Sequence, residues 1–137
     1  MHKSAYVHYL KGVFMAKPAN YTNVFSALSD KTRLRIMCAL ISANDALCIC
    51  ELIDTLKLKQ YNISRHIKEL KNADLVVEKR AGKFVFYSIA KANSDFGNNI
   101  IKSLQSIKDK VINEDVVRLK KRLAMREEGK CVVGMSK

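Results

Sequence analysis

Tryptophan is absent from this 137-residue chain, proline occurs once and glycine five times. So few chain breakers point to long regular elements joined by short connections. No apolar run approaches the ~20 residues that cross a bilayer, so neither a membrane span nor a membrane partner is expected. His8 and Lys11 interrupt the only apolar stretch before Pro18, and the beginning does not read as a secretory signal. Four cysteines, Cys38, Cys48, Cys50 and Cys131, are too few and too unevenly placed for a disulfide framework. Reduced thiols in a cytoplasmic protein are the expectation. Histidine is also scarce: His2, His8 and His66, with none beyond. Acids are outnumbered, 13 against 25 Lys and Arg, which gives a net charge of +12. That excess makes a polyanion the default partner, nucleic acid before a membrane surface. Nothing suggests an enzyme or a catalytic cofactor, because there is no phosphate-cradling glycine loop and Cys-X-Cys is not the Cys-X-X-Cys of a thioredoxin-like site.

What the chain does contain is helical periodicity, interrupted once. Residues 1–19 show no clear period and read as a flexible arm. Tyr21, Val24, Phe25 and Leu28 form the i, i+3, i+4, i+7 stripe of a first helix. Ser29 or Asp30 can cap a second, striped by Leu34, Met37, Cys38 and Ile41, and Ser42–Asp45 is a polar connection. A third helix is predicted over 49–57 and a fourth over 60–73. The period then changes to that of strands. Leu75–Arg80 and Phe84–Ile89 flank Ala81-Gly82-Lys83, a hairpin signal with Gly82 at the turn. A long helix is predicted from Ser94, with Phe96, Ile100, Leu104, Ile107 and Val111 on one side. Asn113 then caps a last amphipathic helix whose basic end, Lys120 to Arg126, suits the helix dipole, and Gly129 ends it.

Two helices around a short turn, followed by a β-hairpin, make a winged helix-turn-helix. On a wheel of ~100° per residue, Ile63, Ile67 and Leu70 define the buried face of the fourth helix. Opposite them lie Tyr61, Arg65 and Lys68, flanked by Asn62 and Ser64. A basic, amide-bearing face of this kind can enter a major groove with its N-terminal residues nearest the base edges. His66 falls at the edge of the buried face, where packing or a phosphate contact outweighs base readout. Between Lys57 and Lys83 eight basic residues stand against three acidic ones. The excess coincides with the reading helix and with Arg80 and Lys83 of the wing, which favours DNA over a merely solvated face.

Phe25-Ser-Ala-Leu-Ser-Asp-Lys-Thr-Arg-Leu-Arg-Ile36 resembles the opening helices of the ArsR/SmtB family of metalloregulatory repressors. Gln60-Tyr-Asn-Ile-Ser-Arg-His-Ile67 with Leu70-Lys-Asn-Ala-Asp-Leu-Val76 is similar to its recognition helix and the start of its wing, and Lys79-Arg-Ala-Gly-Lys-Phe-Val-Phe-Tyr87 to the wing itself. The likeness spans roughly 20–112. Asp74 stands where the family usually has glycine, and aspartate tolerates the left-handed conformation that such a turn needs. The resemblance implies a DNA-contact set of Gln60, Tyr61, Asn62, Ser64, Arg65, His66, Lys68, Arg80 and Lys83.

Leu47-Cys-Ile-Cys-Glu-Leu52 resembles the thiolate motif of the family's arsenic, antimony, cadmium and lead sensors. Within a regular helix, residues i and i+2 point ~200° apart, so Cys48 and Cys50 share one ion only if the chain bends at the helix start. The same helix end favours the thiolates that soft ions require. The bland alternative has one cysteine packed as a small hydrophobe and the other idle. A third sulfur is wanted, and where the arsenic motif often has a cysteine three residues after the second, this chain has Ile53. Cys131, from either subunit, is the substitute; the alternative is an unpaired tail thiol. Cys38, on an apolar stripe, belongs to the core. With no histidine after residue 66, the zinc, nickel or cobalt site on the family's C-terminal helix is not expected. No cysteine lies in the arm of residues 1–19 either, which puts arsenic or antimony ahead of cadmium or lead.

The expected protein is therefore an α+β winged helix-turn-helix, mostly helical with a two-stranded wing. It has an arm (1–19), a DNA-binding and dimerisation domain (20–112) and a C-terminal helix with a cysteine-containing tail (113–137). Its helices at 21–28 and 94–111 join a homodimer on a pseudo-palindromic operator, and As(III) or Sb(III) releases it. Two rivals differ in chemistry: a thiol-redox regulator pairing Cys48 with Cys131 or another subunit's thiol, and a metal-trafficking protein with an incidental basic face.

Overall fold

The computed structural model describes residues 21–126. The arm, Cys131 and Gly129 lie outside the described residues. Helix α1 (Tyr21–Leu28) buries Val24 of its stripe together with Ala27, and leaves Tyr21 and Phe25 exposed. Asp30 caps α2 (Lys31–Ala43): its Oδ2 accepts from the Arg33 N–H at 3.0 Å. Asn44, at φ 50°, closes the helix in the left-handed region. A two-residue strand, β1 (Leu47–Cys48), leads directly into α3 (Ile49–Leu56), and Lys57 at φ 58° ends that helix. Helix α4 (Gln60–Asn72) follows after three residues. Asp74 takes φ 60°, the left-handed turn expected where glycine is missing. Strands β2 (Val76–Ala81) and β3 (Phe84–Ile89) pair antiparallel around Gly82, at φ 63°. Ser94 caps α5 (Asp95–Gln105) by accepting from the Gly97 N–H at 3.1 Å. Gly97 is needed there for closeness, since a Cβ would meet Ala92 Cβ at 3.1 Å.

Two expectations are corrected. The wing is three-stranded, in the order β1-β3-β2, with Leu47 opposite Tyr87 and Cys48 opposite Phe86. A two-residue strand carries too little alternation to be seen as a period. The long helix stops at Gln105, and a new one, α6 (Lys110–Leu123), starts behind Asp109 rather than Asn113. Asp109 Oδ2 accepts from the Ile112 N–H at 3.0 Å, while the Asn113 N–H is already bonded to the Asp109 carbonyl at 2.8 Å. Ile107 and Val111 continue the wheel of Phe96, Ile100 and Leu104 in register, which concealed the break.

One apolar core joins the elements. Ile36, Met37 and Leu40 of α2 meet Leu52 and Leu56 of α3, Ile63, Ile67 and Leu70 of α4, Ile100 and Leu104 of α5, and Ile112 and Leu119 of α6. Burial of these aliphatic side chains, each contributing about 1.5–3 kcal/mol, fixes the angle at which α4 leaves the body. Among the described residues no helix is long and apolar enough to cross a membrane.

Candidate nucleic-acid interface and thiol site

Helix α4 rests on the core through Ile63, Ile67 and Leu70, which turns Gln60, Tyr61, Ser64, Arg65 and Lys68 to solvent, with Asn62 half-buried. Tyr61 is 74% exposed, a large ring that nothing among the described residues covers. Arg80 and Lys83 are exposed on the hairpin, and Lys83 Nζ stands 5.9 Å from the Phe84 ring centre. Helix face and wing thus supply the basic surface expected of them.

His66 does not stand on that face. It is buried, with Nδ1 accepting from Arg33 Nη1 at 3.2 Å and lying 3.7 Å from Asp30 Oδ2. A guanidinium only donates, so the neutral ring carries its proton on Nε2. Burial pushes the imidazole below its ordinary pKa against the pull of Asp30. Arg33 also donates to the Ala27 carbonyl. His66 and Arg33 together tie the end of α1 and the start of α2 to the back of the reading helix.

Cys48 and Cys50 sit where strand becomes helix, both buried, against Phe84 and Phe86 of β3. Cys48 is the N-cap of α3, and its N–H donates to Glu51 Oε1 at 3.1 Å in a capping box. Cys50 Sγ accepts from Arg122 Nη2 at 3.8 Å. The donor set is soft, buried and placed at a helix N-terminus, so it suits a soft ion. Among the described residues no cluster of three Cys, His, Asp or Glu converges to hold a metal. Cys38 is elsewhere, between α2 and α5, with its thiol 3.8 Å from the Leu104 carbonyl. Burial first, then Asp115 and Asp109, push its pKa up to about 11, so it stays a neutral thiol in the core as expected.

Sequence reasoning missed the acids and arginines around this turn. Glu51 is fully buried and takes Arg126 Nε and Nη2 at 2.6 and 2.7 Å. Asp54 accepts from Arg122 Nε at 2.7 Å, and Asp115 from Arg35 and Arg118 at 2.7–2.9 Å. The signal was present as arginines at every fourth position, 118, 122 and 126, but it reads equally as a basic helix end.

Exposed aromatics mark a further surface. Tyr21 and Phe25 of α1 remain 43% and 56% exposed, with their rings 4.7 and 5.6 Å from that of Phe96 on α5. Leu104, expected on the same seam, instead faces its own core at 7% exposure.

Comparison with known proteins agrees with this architecture. Residues 30–78, from the α2 cap into β2, match the family described as bacterial regulatory protein, arsR family. The chain is 33% identical over 96 residues to an arsenic resistance transcriptional regulator of Pseudomonas putida, covering 70% of this chain and 74% of that one. It is 33% identical over 79 residues to a homolog of the cadmium resistance transcriptional regulatory protein CadC from Staphylococcus aureus, covering 58% and 64%. The structure of HlyU from Vibrio cholerae superposes with a TM-score of 0.55 at 28% identity, covering 64% of this chain and 89% of that one. With its reading helix, its wing and these likenesses taken together, the chain belongs to the ArsR family of DNA-binding transcriptional regulators.

Proposed function

We propose that the protein is a cytoplasmic, homodimeric repressor that leaves a pseudo-palindromic operator when trivalent arsenic or antimony is held by Cys48 and Cys50. The observation that carries this reading is the position of the pair. Both sulfurs lie at the first turn of α3, whose far side packs on α4, and Cys48 is at the same time the strand partner of Phe86 in the wing. Drawing the two sulfurs onto one ion bends that turn and shifts both DNA-contacting elements at once. Release then follows if the ion binds better to the form that fits DNA poorly.

Cys131 supplies the third sulfur in this proposal. Arg126 is bonded to Glu51, one residue from Cys50, and Cys131 follows it five positions later, a span of up to about 18 Å when extended. A cysteine of the same subunit can therefore reach the pair. The deciding experiment is operator binding titrated separately with arsenite, antimonite, cadmium, lead and zinc. Release by arsenite and antimonite at the lowest concentrations supports the reading. Release by cadmium or lead alone transfers the site to those ions, and release by peroxide but not arsenite makes it a redox site.

Two predictions test the surfaces. Arg65→Ala is expected to weaken operator binding by roughly 1–3 kcal/mol with loss of base preference, if it reads a guanine edge. Lys83→Ala should weaken all duplexes alike and flatten the salt slope by about one unit. Unchanged affinity in both, measured by fluorescence anisotropy, would remove DNA from this face. For the dimer, Phe25→Asp places a charge in the exposed aromatic cluster without touching the core, and should give folded monomers in sedimentation. A folded, fully dimeric Phe25→Asp protein puts the seam elsewhere.

A further inference from the structure

Arg118 and Arg122 of α6 and Arg126, three residues past its end, recur at every fourth position, so three guanidinium groups line up along one side of this segment. They meet α3 in antiparallel order. Arg118 Nε donates to the Thr55 carbonyl at 2.7 Å, Arg122 Nε to Asp54 at 2.7 Å, and Arg126 to both carboxylate oxygens of Glu51. The last of them reaches further: Arg126 also donates to Asp45 at 3.0 Å and to the Ala46 carbonyl at 2.7 Å, both just ahead of β1. It therefore grips the chain on either side of the sulfur pair. Between these grips, Glu51 accepts from the Cys48 N–H and Arg122 donates to the Cys50 sulfur. All three arginines lie outside the segment 30–78 that matches the family.

We propose that this ladder is a clamp that sets the inducer threshold, with Arg122 and Arg126 as positioning residues of the thiol site. The inference rests on the sensing function proposed above and adds the element that opposes it. The clamp holds the 45–51 turn in the form that supports α4 and the wing. Closing two sulfurs on one ion bends that turn, so the rungs must lengthen or break. Glu51 is fully buried, and parting it from Arg126 leaves a desolvated charge, which makes the clamped form the preferred one without ligand. Linkage fixes the sign: a weaker clamp lowers operator affinity and raises arsenite affinity together.

The test uses the full chain and a duplex that the protein selects from a random-sequence pool. Arg126→Gln is compared with the Glu51→Gln/Arg126→Met pair, which leaves no unpaired buried charge, and with Arg126→Lys as the conservative rescue. Lys31→Ala, which removes the exposed pair with Asp109 at the other end of α6, is the control. Arg126→Gln and the double variant should need about tenfold less arsenite for half-release and bind the free duplex several-fold more weakly. Arg126→Lys should recover most of both, and Lys31→Ala should change neither. Damage to the fold alone would weaken DNA and arsenite binding in parallel. An unchanged or raised arsenite requirement in both clamp variants overturns the proposal. If the unaltered protein ignores arsenite, the sensing function fails instead. The clamp is then judged by amide exchange at 47–51, where equal protection with and without Arg126 overturns it.

Discussion

Replacing both Cys48 and Cys50 by serine is expected to leave a protein that binds its operator normally and no longer responds to arsenite. The fold has little reason to object. Cys48 is the N-cap of α3, a position where serine outperforms most residues, and the Cys50 sulfur accepts a bond that a hydroxyl can also accept. Inducer binding is another matter. A hydroxyl is a hard donor that stays protonated near neutrality, and a soft ion gains almost nothing from it. The arsenite needed for half-release should rise by more than about 100-fold, beyond the 10–100-fold typical of losing a mere supporting contact. Each single variant should fail in the same way, because one sulfur left at the turn, even with Cys131, cannot draw positions 48 and 50 together. Cys131→Ser should shift the threshold by less, since both sulfurs of the turn persist and water or a small thiol takes the third place. Anisotropy titration of the labelled operator reads all four proteins. A double variant that leaves the operator at the wild-type arsenite concentration ends the case for this site, and an unshifted Cys131→Ser ends the case for the tail.

How far the sequence foretold this site depends on which residue is asked. Ile63, Ile67 and Leu70 repeat at helical spacing, so the exposed side of α4 follows from the wheel, and the observed exposure of Tyr61, Arg65 and Lys68 agrees. Gly82 and Asp74 announced left-handed turns through steric tolerance alone, and both have positive φ. Local chemistry of that kind survives folding. His66 is an intermediate case: its wheel position at a boundary favoured packing or a phosphate contact over base readout, but its partners, Arg33 and Asp30 at the start of another helix, could not be read from the wheel. The same holds for β1, whose two residues become a strand because Tyr87 and Phe86 offer an unpaired edge. The break after Gln105 was hidden because the apolar wheel continues across it. The arginine ladder needed a partner 60–80 residues away, and pairings over that separation have no local period to read.

That long-range network is also where one substitution should harm stability most. Asp115→Ala is expected to cost about 3 kcal/mol. The carboxylate is 1% exposed and accepts from Arg35 Nε and Nη2 at 2.8 and 2.9 Å and from Arg118 Nη2 at 2.7 Å. Breaking a buried pair from one side leaves its partner's charge desolvated, typically a loss of about 3–5 kcal/mol. The lower end applies here because Arg118 is 29% exposed and can turn to water, and because Arg35 keeps the Leu56 carbonyl at 2.7 Å. Asp115→Asn should cost nearly as much, since a single amide oxygen cannot replace two charged ones and its NH2 faces donors. Lys31→Ala is the contrast: its ion pair with Asp109 is a single contact at 3.2 Å near the surface, and its loss should leave stability unchanged. In thermal unfolding at fixed protein concentration, Asp115→Ala should melt roughly 10 °C lower. A melting temperature within about 2 °C of the parent would mean that water, not Asp115, compensates the two arginines. Since α6 lies across both α2 and α3, its loosening withdraws support from the helix beneath the reading helix, and operator affinity should fall in the same variant well below its melting point.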